Sequence, residues 1–264
     1  MKTVILCGGI GTRLKEETEF RPKPMVNIGS RPILWHIMKI YAHYGHNEFI
    51  IALGYKGDMI KDYFYRYEIM NSDVTLELGK PESLCLHQKH NEVGWKVTLT
   101  DTGEAAFKGA RVKRIEKYIN DDTFMVTYGD GLADLDINKL IAFHKKHGRI
   151  ATLTGVNPAS RFGELKFTGN RVHAFSEKPA LSDRDAEQGF ISGGFFVFDR
   201  KVFDYLSEDD DCDLEYGVLE QLAREGQLMV YKHYGFWACM DTHRDMEFLN
   251  KIWSEGKPKW KVWA

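Results

Sequence analysis

A chain of 264 residues, 43% of them hydrophobic, is long enough to bury a substantial core within one large domain. Its 36 basic and 38 acidic side chains give a formal charge of −2, which excludes the broad cationic face that holds a polynucleotide by counterion release. No run is long and apolar enough to span a bilayer, and the N-terminus enters a strand without a basic segment or signal core, so no membrane partner and a cytoplasmic location are expected.

The first strand, Val4 to Leu6, runs into Cys7-Gly8-Gly9-Ile10-Gly11-Thr12-Arg13-Leu14, and Lys23 follows between Pro22 and Pro24. Closely spaced glycines let main-chain N–H groups converge on a phosphate, while Thr12, Arg13 and Lys23 add a hydroxyl and two cations. The two prolines hold the lysine in an extended segment. Leu14 stands where a dinucleotide fingerprint needs its third glycine, and no Gly-Lys-Ser/Thr follows as a Walker loop requires; both readings fail.

Next, Ser30 and Pro32 open a helix whose Ile33, Leu34, Ile37, Met38, Tyr41 and Tyr44 share one face up to Gly45. Phe49 to Leu53 reads as a strand and Gly57 to Phe64 as a helix. This alternation predicts an α/β, Rossmann-like, mostly parallel sheet flanked by helices, with ligands bound at the rim formed by the strand C-termini. Leu76 to Gly103 lacks periodicity and is expected to be a loop or short hairpin over the site. A basic helix from Ala110 to Tyr118, a buried strand from Thr123 to Tyr128, a helix from Asp134 to His147 stopped by Gly148, and a strand from Ile150 to Val156 follow.

The second half changes character. Glu164 to Phe167 and Arg171 to Phe175 flank Thr168-Gly169-Asn170, a hairpin signal, and Glu177-Lys178-Pro179 comes directly after. Phe190 to Phe198 is an aromatic strand interrupted by Gly193-Gly194, where a ligand can approach closely. Leu214 to Gly226 reads as a helix, Leu228 to Tyr234 as a strand, and Asp241 as the start of a helix through Trp253.

Cysteines 7, 85, 212 and 239 have no paired spacing and are expected to be reduced thiols. His144 and His147 lack further ligands for zinc, and the acidic run Asp209 to Asp213 lacks the glycine and glutamate of a calcium loop, so it reads as a solvated turn. Asp130, in Gly129-Asp130-Gly131, sits where a buried strand reaches the rim, as a magnesium ligand should. Asp241 is the second candidate, with a plain helix N-cap as its alternative. Two aspartates with phosphate oxygens and waters suit octahedral Mg²⁺.

The glycine loop G-G-I-G-T-R-L at 8–14 with P-K-P at 22–24 resembles the signature of the sugar-1-phosphate nucleotidyltransferases. The resemblance extends through G-Y-K-G at 54–57, D-T-G at 101–103, Y-G-D-G at 128–131, R-F-G at 161–163, E-K-P at 177–179, G-G-F-F-V at 193–197 and M-D-T at 240–242, essentially the whole chain. With W-H-I-M-K at 35–39, the G-Y-K-G and D-T-G motifs are similar to the branch that joins CTP to α-D-glucose 1-phosphate, giving CDP-glucose and pyrophosphate.

That resemblance implies a nucleotide-diphospho-sugar transferase fold with a small hairpin-containing sugar-binding insertion. Residues 1–156 would form the nucleotide-binding half, 157–240 the sugar-binding half and 241–264 a C-terminal helix and tail. It implies that Leu6, Cys7, Gly8, Gly9, Ile10, Gly11, Thr12 and Arg13 wrap the nucleotide, with Lys23 on its phosphates. Arg111 and Thr102 would sit by the base, Gly129 by the ribose, and Glu177, Lys178, Ser192 and Gly193 by the sugar phosphate. Asp130 and Asp241 would hold Mg²⁺. It further implies a homo-oligomer, a hexamer, that feeds CDP-linked deoxysugar synthesis for surface polysaccharide. Ser192 replaces an asparagine expected before the glycine pair, and Cys239 a proline expected before Met-Asp-Thr. The alternatives are another nucleotide (UTP or dTTP), another phosphorylated sugar or alcohol, or a non-catalytic binding paralogue. The tail tryptophans Trp260 and Trp263 are expected to dock on a neighbouring subunit.

Overall fold

The computed structural model describes residues 1–87, 90–158, 164–168, 171–176 and 189–263. Seven strands form the central sheet: β1 (Thr3–Cys7), β2 (Glu48–Leu53), β3 (Lys96–Asp101), β4 (Thr123–Tyr128), β5 (Ala151–Val156), β6 (Ile191–Asp199) and β7 (Leu228–His233). Their spatial order is β7-β5-β6-β4-β1-β2-β3, and β6 alone among them runs antiparallel to its neighbours. Every residue of β1 is buried, because the strand is covered on both faces. Ile5 and Cys7 enter one core with Ile33, Leu34, Ile37 and Met38 of α1 (Ile33–His43). Val4 and Leu6 enter the other with Val112 of α2 (Lys108–Arg114), Phe196 and Phe203.

The glycine loop, α1, β2 and the Gly57–Tyr65 helix follow the periodicity as expected. The Asp134 to His147 helix starts at Ile137, capped by Asp136, whose Oδ1 accepts from Lys139 N at 3.0 Å. The hairpin Glu164–Thr168 with Arg171–Ser176 is present, and its turn at Gly169 and Asn170 lies outside the described residues.

Four expectations are corrected. Lys96–Asp101 is not loop but the parallel edge strand β3, registered Phe49↔Val97 and Ile51↔Leu99. Only Val74–Glu77 and Lys80–Leu86 form a hairpin, and none of its residues lines the cleft described below. The helix expected across Leu214 to Gly226 is broken, with Tyr216 extended (φ −82°, ψ 105°) and Gly217 at φ 114°. The tail does not need a neighbour: Trp260 is fully buried against Phe236, with ring centroids 5.6 Å apart, and Trp263 packs edge-on to Trp35 at 5.8 Å. His144 and His147 both turn to the Thr152 hydroxyl, at 2.9 and 2.7 Å, which accounts for the pair without a metal. Among the described residues no helix is long and apolar enough to cross a membrane.

Candidate active site

Strands β1 and β4 are hydrogen-bonded in parallel with Leu6 beside Tyr128, so the glycine loop and Gly129-Asp130-Gly131 leave the sheet side by side. Gly129 N donates to Leu6 O at 3.1 Å, and a Cβ at Gly129 would lie 2.9 Å from the Pro24 ring and 3.1 Å from Cys7 Sγ. Between the two turns opens a cleft of about 570 Å³. Of the residues the sequence singles out, Leu6, Cys7, Gly8, Gly9, Gly11, Thr12, Arg13, Lys23, Gly129, Asp130, Ser192, Gly193 and Asp241 are brought together along its lining.

Asp241 reaches the cleft from far along the chain. Gly131–Ala133 pairs antiparallel with Trp237–Cys239, Gly131 opposite Cys239, and Met240 N donates to Asp130 O at 2.9 Å. The helix that follows, α3 of this description (His243–Ser254), is capped by Thr242 rather than Asp241. Thr242 Oγ1 accepts from Asp245 N at 3.3 Å, and the Asp245 carboxylate accepts from Thr242 N at 2.9 Å, a closed capping box. The N-cap alternative for Asp241 therefore fails, because its neighbour has taken that duty and left its carboxylate to the cleft.

There the charges meet. Lys23 Nζ donates to Asp130 Oδ2 at 2.7 Å and also to Asp241 Oδ1, while Arg13 Nη1 lies 3.0 Å from Asp241 Oδ2. The Lys23 side chain is 12% exposed and Asp241 17%, whereas Arg13 is 73% exposed and free to swing. Burial opposes the charge on Lys23, but the two aspartates outweigh it and hold its pKa above the ordinary lysine value. Burial likewise works against ionised Asp241, and Lys23 and Arg13 outweigh it, keeping that carboxyl below the usual range. The thiols nearby stay protonated: burial, reinforced by Asp130, raises Cys7, and burial with Asp241 pushes Cys239 up to about 12. All four cysteines are free, and neither cleft cysteine is activated as a nucleophile.

Arg111, which also lines the cleft, is engaged in an unexpected way. Its guanidinium donates to the carbonyls of Leu53 (3.0 Å), Gly103 (2.7 Å), Gly8 (3.1 Å) and Glu104 (3.1 Å) and to Thr102 Oγ1 (2.9 Å). A Cβ at Gly8 would fall 2.1 Å from this guanidinium and one at Gly54 2.5 Å, so these two glycines exist to admit it. Thr102 is buried, donates to Leu53 O at 2.6 Å, accepts from Arg111 and does not itself line the cleft. Ile10 turns to solvent at 53% exposure and is likewise off the lining. Glu177 and Lys178 lie outside the described residues. Tyr128, Lys108 and Asp213, which the sequence reading does not single out as site residues, also line the cleft; the available signals are the Y-G-D-G motif for Tyr128 and the acidic run ending at Asp213.

Chemically, this is a glycine-lined cradle with two cations and two carboxylates at one end. Among the described residues no three His, Cys, Asp or Glu side chains gather as a metal group. A pair of aspartates already sharing one cationic partner fits instead an oxygen-ligated divalent ion that keeps most of its shell for phosphate and water.

Comparison with known proteins fits this geometry. The sequence model described as Nucleotidyl transferase matches residues 2–252. The chain is 48% identical over 264 residues to the glucose-1-phosphate cytidylyltransferase of Salmonella typhimurium, covering 100% of both chains. It is 46% identical over 263 residues to the probable glucose-1-phosphate cytidylyltransferase of Bacillus subtilis, again covering 100% of each. Among solved structures, HddC from Yersinia pseudotuberculosis superposes with a TM-score of 0.68 at 24% identity, over 96% of this chain and 99% of that one, a likeness of fold.

Proposed function

The chain belongs to the nucleotidyl transferase family, and from that premise we propose that it transfers a cytidylyl group from CTP to α-D-glucose 1-phosphate, with Mg²⁺ held by Asp130 and Asp241. The observation that carries this reading is the meeting of Lys23, Arg13, Asp130 and Asp241 in one glycine-lined cleft, in a chain matched end to end by relatives bearing that activity in their names.

In this reading an oxygen of the sugar phosphate attacks the α-phosphorus of CTP, and the bond from that phosphorus to the bridging oxygen breaks to release pyrophosphate. No protein nucleophile is needed, since the acceptor is already anionic. The chain's task is to bring two polyanions together in line and to stabilise charge on the departing group. The Gly8 to Arg13 loop offers main-chain N–H groups to the triphosphate, and Lys23 and Arg13 shift from the carboxylates to phosphate oxygens. Bound magnesium would supply charge neutralisation at those oxygens. Gly129 leaves room for the ribose, and Ser192 and Gly193 face the sugar end.

The same reading carries with it a cytoplasmic homo-oligomer that feeds CDP-linked deoxysugar synthesis. Incubating the protein with Mg²⁺, each of the four nucleoside triphosphates and a panel of sugar 1-phosphates, with the product identified by mass, tests it. CDP-glucose as the dominant product is expected. A dominant product from UTP or dTTP, or from another phosphate, would replace the substrate assignment, and no product from any pair would leave a binding paralogue.

A further inference from the structure

The acidic run from Asp209 to Asp213 is more than a solvated turn, because it is fastened to the start of α2. Phe107 N donates to Asp210 O at 2.7 Å and Ala110 N to Cys212 O at 3.0 Å. A Cβ at Gly109 would lie 2.7 Å from Cys212 O, so the two segments touch along their backbones. Lys108 and Asp213, one from each of these segments, both line the cleft.

Both side chains are aimed. Lys108 Nζ pairs with the Glu215 carboxylate and rides 5.2 Å above the centre of the Tyr128 ring, while the Tyr128 hydroxyl donates to the same Glu215 oxygen, Oε1. The other oxygen, Oε2, is shielded from solvent and takes no hydrogen bond, so the negative charge of Glu215 is spent on holding these two groups. Lys108 remains 43% exposed, with protons to offer beyond the one Glu215 takes. Asp213 Oδ1 accepts from Glu215 N at 2.8 Å and from Tyr216 N at 2.9 Å, which fixes the carboxylate and leaves Oδ2 out of the turn. The backbone bends sharply just beyond, at Gly217 with φ 114°, and strain of that kind persists where the surroundings enforce it.

We propose that Lys108 and Asp213 form a polar clamp for the vicinal hydroxyls of a substrate sugar ring, the lysine donating to one oxygen and the aspartate accepting from its neighbour. An ammonium and a carboxylate both fastened to Glu215, one at its carboxylate and one at its N–H, match a diol, in which each hydroxyl both donates and accepts. They match a phosphate poorly, since Asp213 would repel it. Glu215 and Tyr128 are positioning residues for Lys108. The clamp deepens the proposed transferase reading and rests on it. The ring is the nucleotide's ribose or the acceptor's hexose, which share this chemistry.

The test compares kcat/KM for CTP with 2′-deoxy and 3′-deoxy CTP, and for glucose 1-phosphate with its 2-deoxy and 3-deoxy analogues. The wild type is expected to prefer the hydroxylated form of one of the two substrates by about tenfold or more, as sites built to bond a hydroxyl do. Lys108→Met should shrink that preference to about threefold or less, while Asp213→Asn, whose amide can still donate to the hydroxyl, should lower it by less; the substrate whose preference falls identifies the ring. Methionine keeps an apolar stem over Tyr128 and asparagine remains a good cap, so both variants should fold, as a thermal melt will record. If Asp213→Asn does not fold, Lys108→Met decides alone. A wild type without discrimination for either substrate, or variants that lose activity equally on hydroxylated and deoxy forms, would overturn the clamp. Failure of the transferase reading looks different: no nucleotide-sugar product from any pair. In that case calorimetric binding of CTP against deoxy CTP still judges the clamp.

Discussion

At one end of the cleft, Lys23, Arg13, Asp130 and Asp241 meet as charges on four separate stretches of chain, each able to exchange its present partner for a phosphate or a metal. At the other, the Arg111 guanidinium gives its donors to main-chain carbonyls and one buried hydroxyl, with glycines at 8 and 54 clearing its path. Basic residues in one pocket thus do different work. Ion pairs between side chains can be traded for ligand contacts, whereas a cation that satisfies carbonyls from three loops is part of the frame, because removing it strands several buried acceptors.

Substitutions should separate the two ends by which quantity moves. The largest effects are expected at the exchangeable end: Asp130→Asn and Asp241→Asn should abolish Mg²⁺-dependent turnover while thermal melting records an intact fold. Unchanged metal titration in either variant would reassign that aspartate to structure. Lys23→Ala should lower kcat by about 10²-fold or more, the scale for one preorganised electrostatic contact, and normal turnover would remove Lys23 from the chemistry. At the framework end, Arg111→Lys should cost about 2 kcal/mol or more in urea unfolding, since an ammonium cannot span the same carbonyls. Gly54→Ala should cost about 1–3 kcal/mol by driving a methyl against that guanidinium. If Arg111→Lys instead alters only KM, the division drawn between the two ends is wrong.

The smallest expected effect is a pH dependence. Asp241 titrates below the usual range in the folded protein, so its ion pairs contribute stability that is present above the unfolded carboxylate pKa and lost as pH falls through the folded one. The stability difference between wild type and Asp241→Asn should therefore be constant near neutrality and shrink below about pH 4. A difference independent of pH would mean that the pairs with Lys23 and Arg13 contribute nothing.

The exchangeable end was largely legible in the sequence, because glycine spacing, a proline-flanked lysine and a carboxylate at a strand end are local signals. The frame was not. Arg111 can be recognised as an isolated cation on a basic helix, but its partners at 8, 53, 103 and 104 are brought to it only by the parallel order of β1, β2 and β3. Strand β3 itself was read as loop because an edge strand is half exposed and needs no continuous apolar run. The broken segment at Tyr216 and Gly217 defeated a helical pattern whose buried residues, Leu214, Val218 and Leu219, still face inward. Asp241 as a cap was a reasonable local inference, displaced by one residue once Thr242 and Asp245 closed on each other.

The short ladder that joins Gly131–Ala133 to Trp237–Cys239 has a consequence for how this chain can change over time. Asp130 and Asp241 both stand just beyond the end of it where Gly131 faces Cys239, so this pairing sets how close two carboxylates far apart in the chain come. Substitutions that keep this pairing in register leave the spacing of the two carboxylates untouched. A slip of one position inside the ladder would turn one of them to the opposite side. Acceptor preference can therefore drift while the phosphorus chemistry is inherited unaltered.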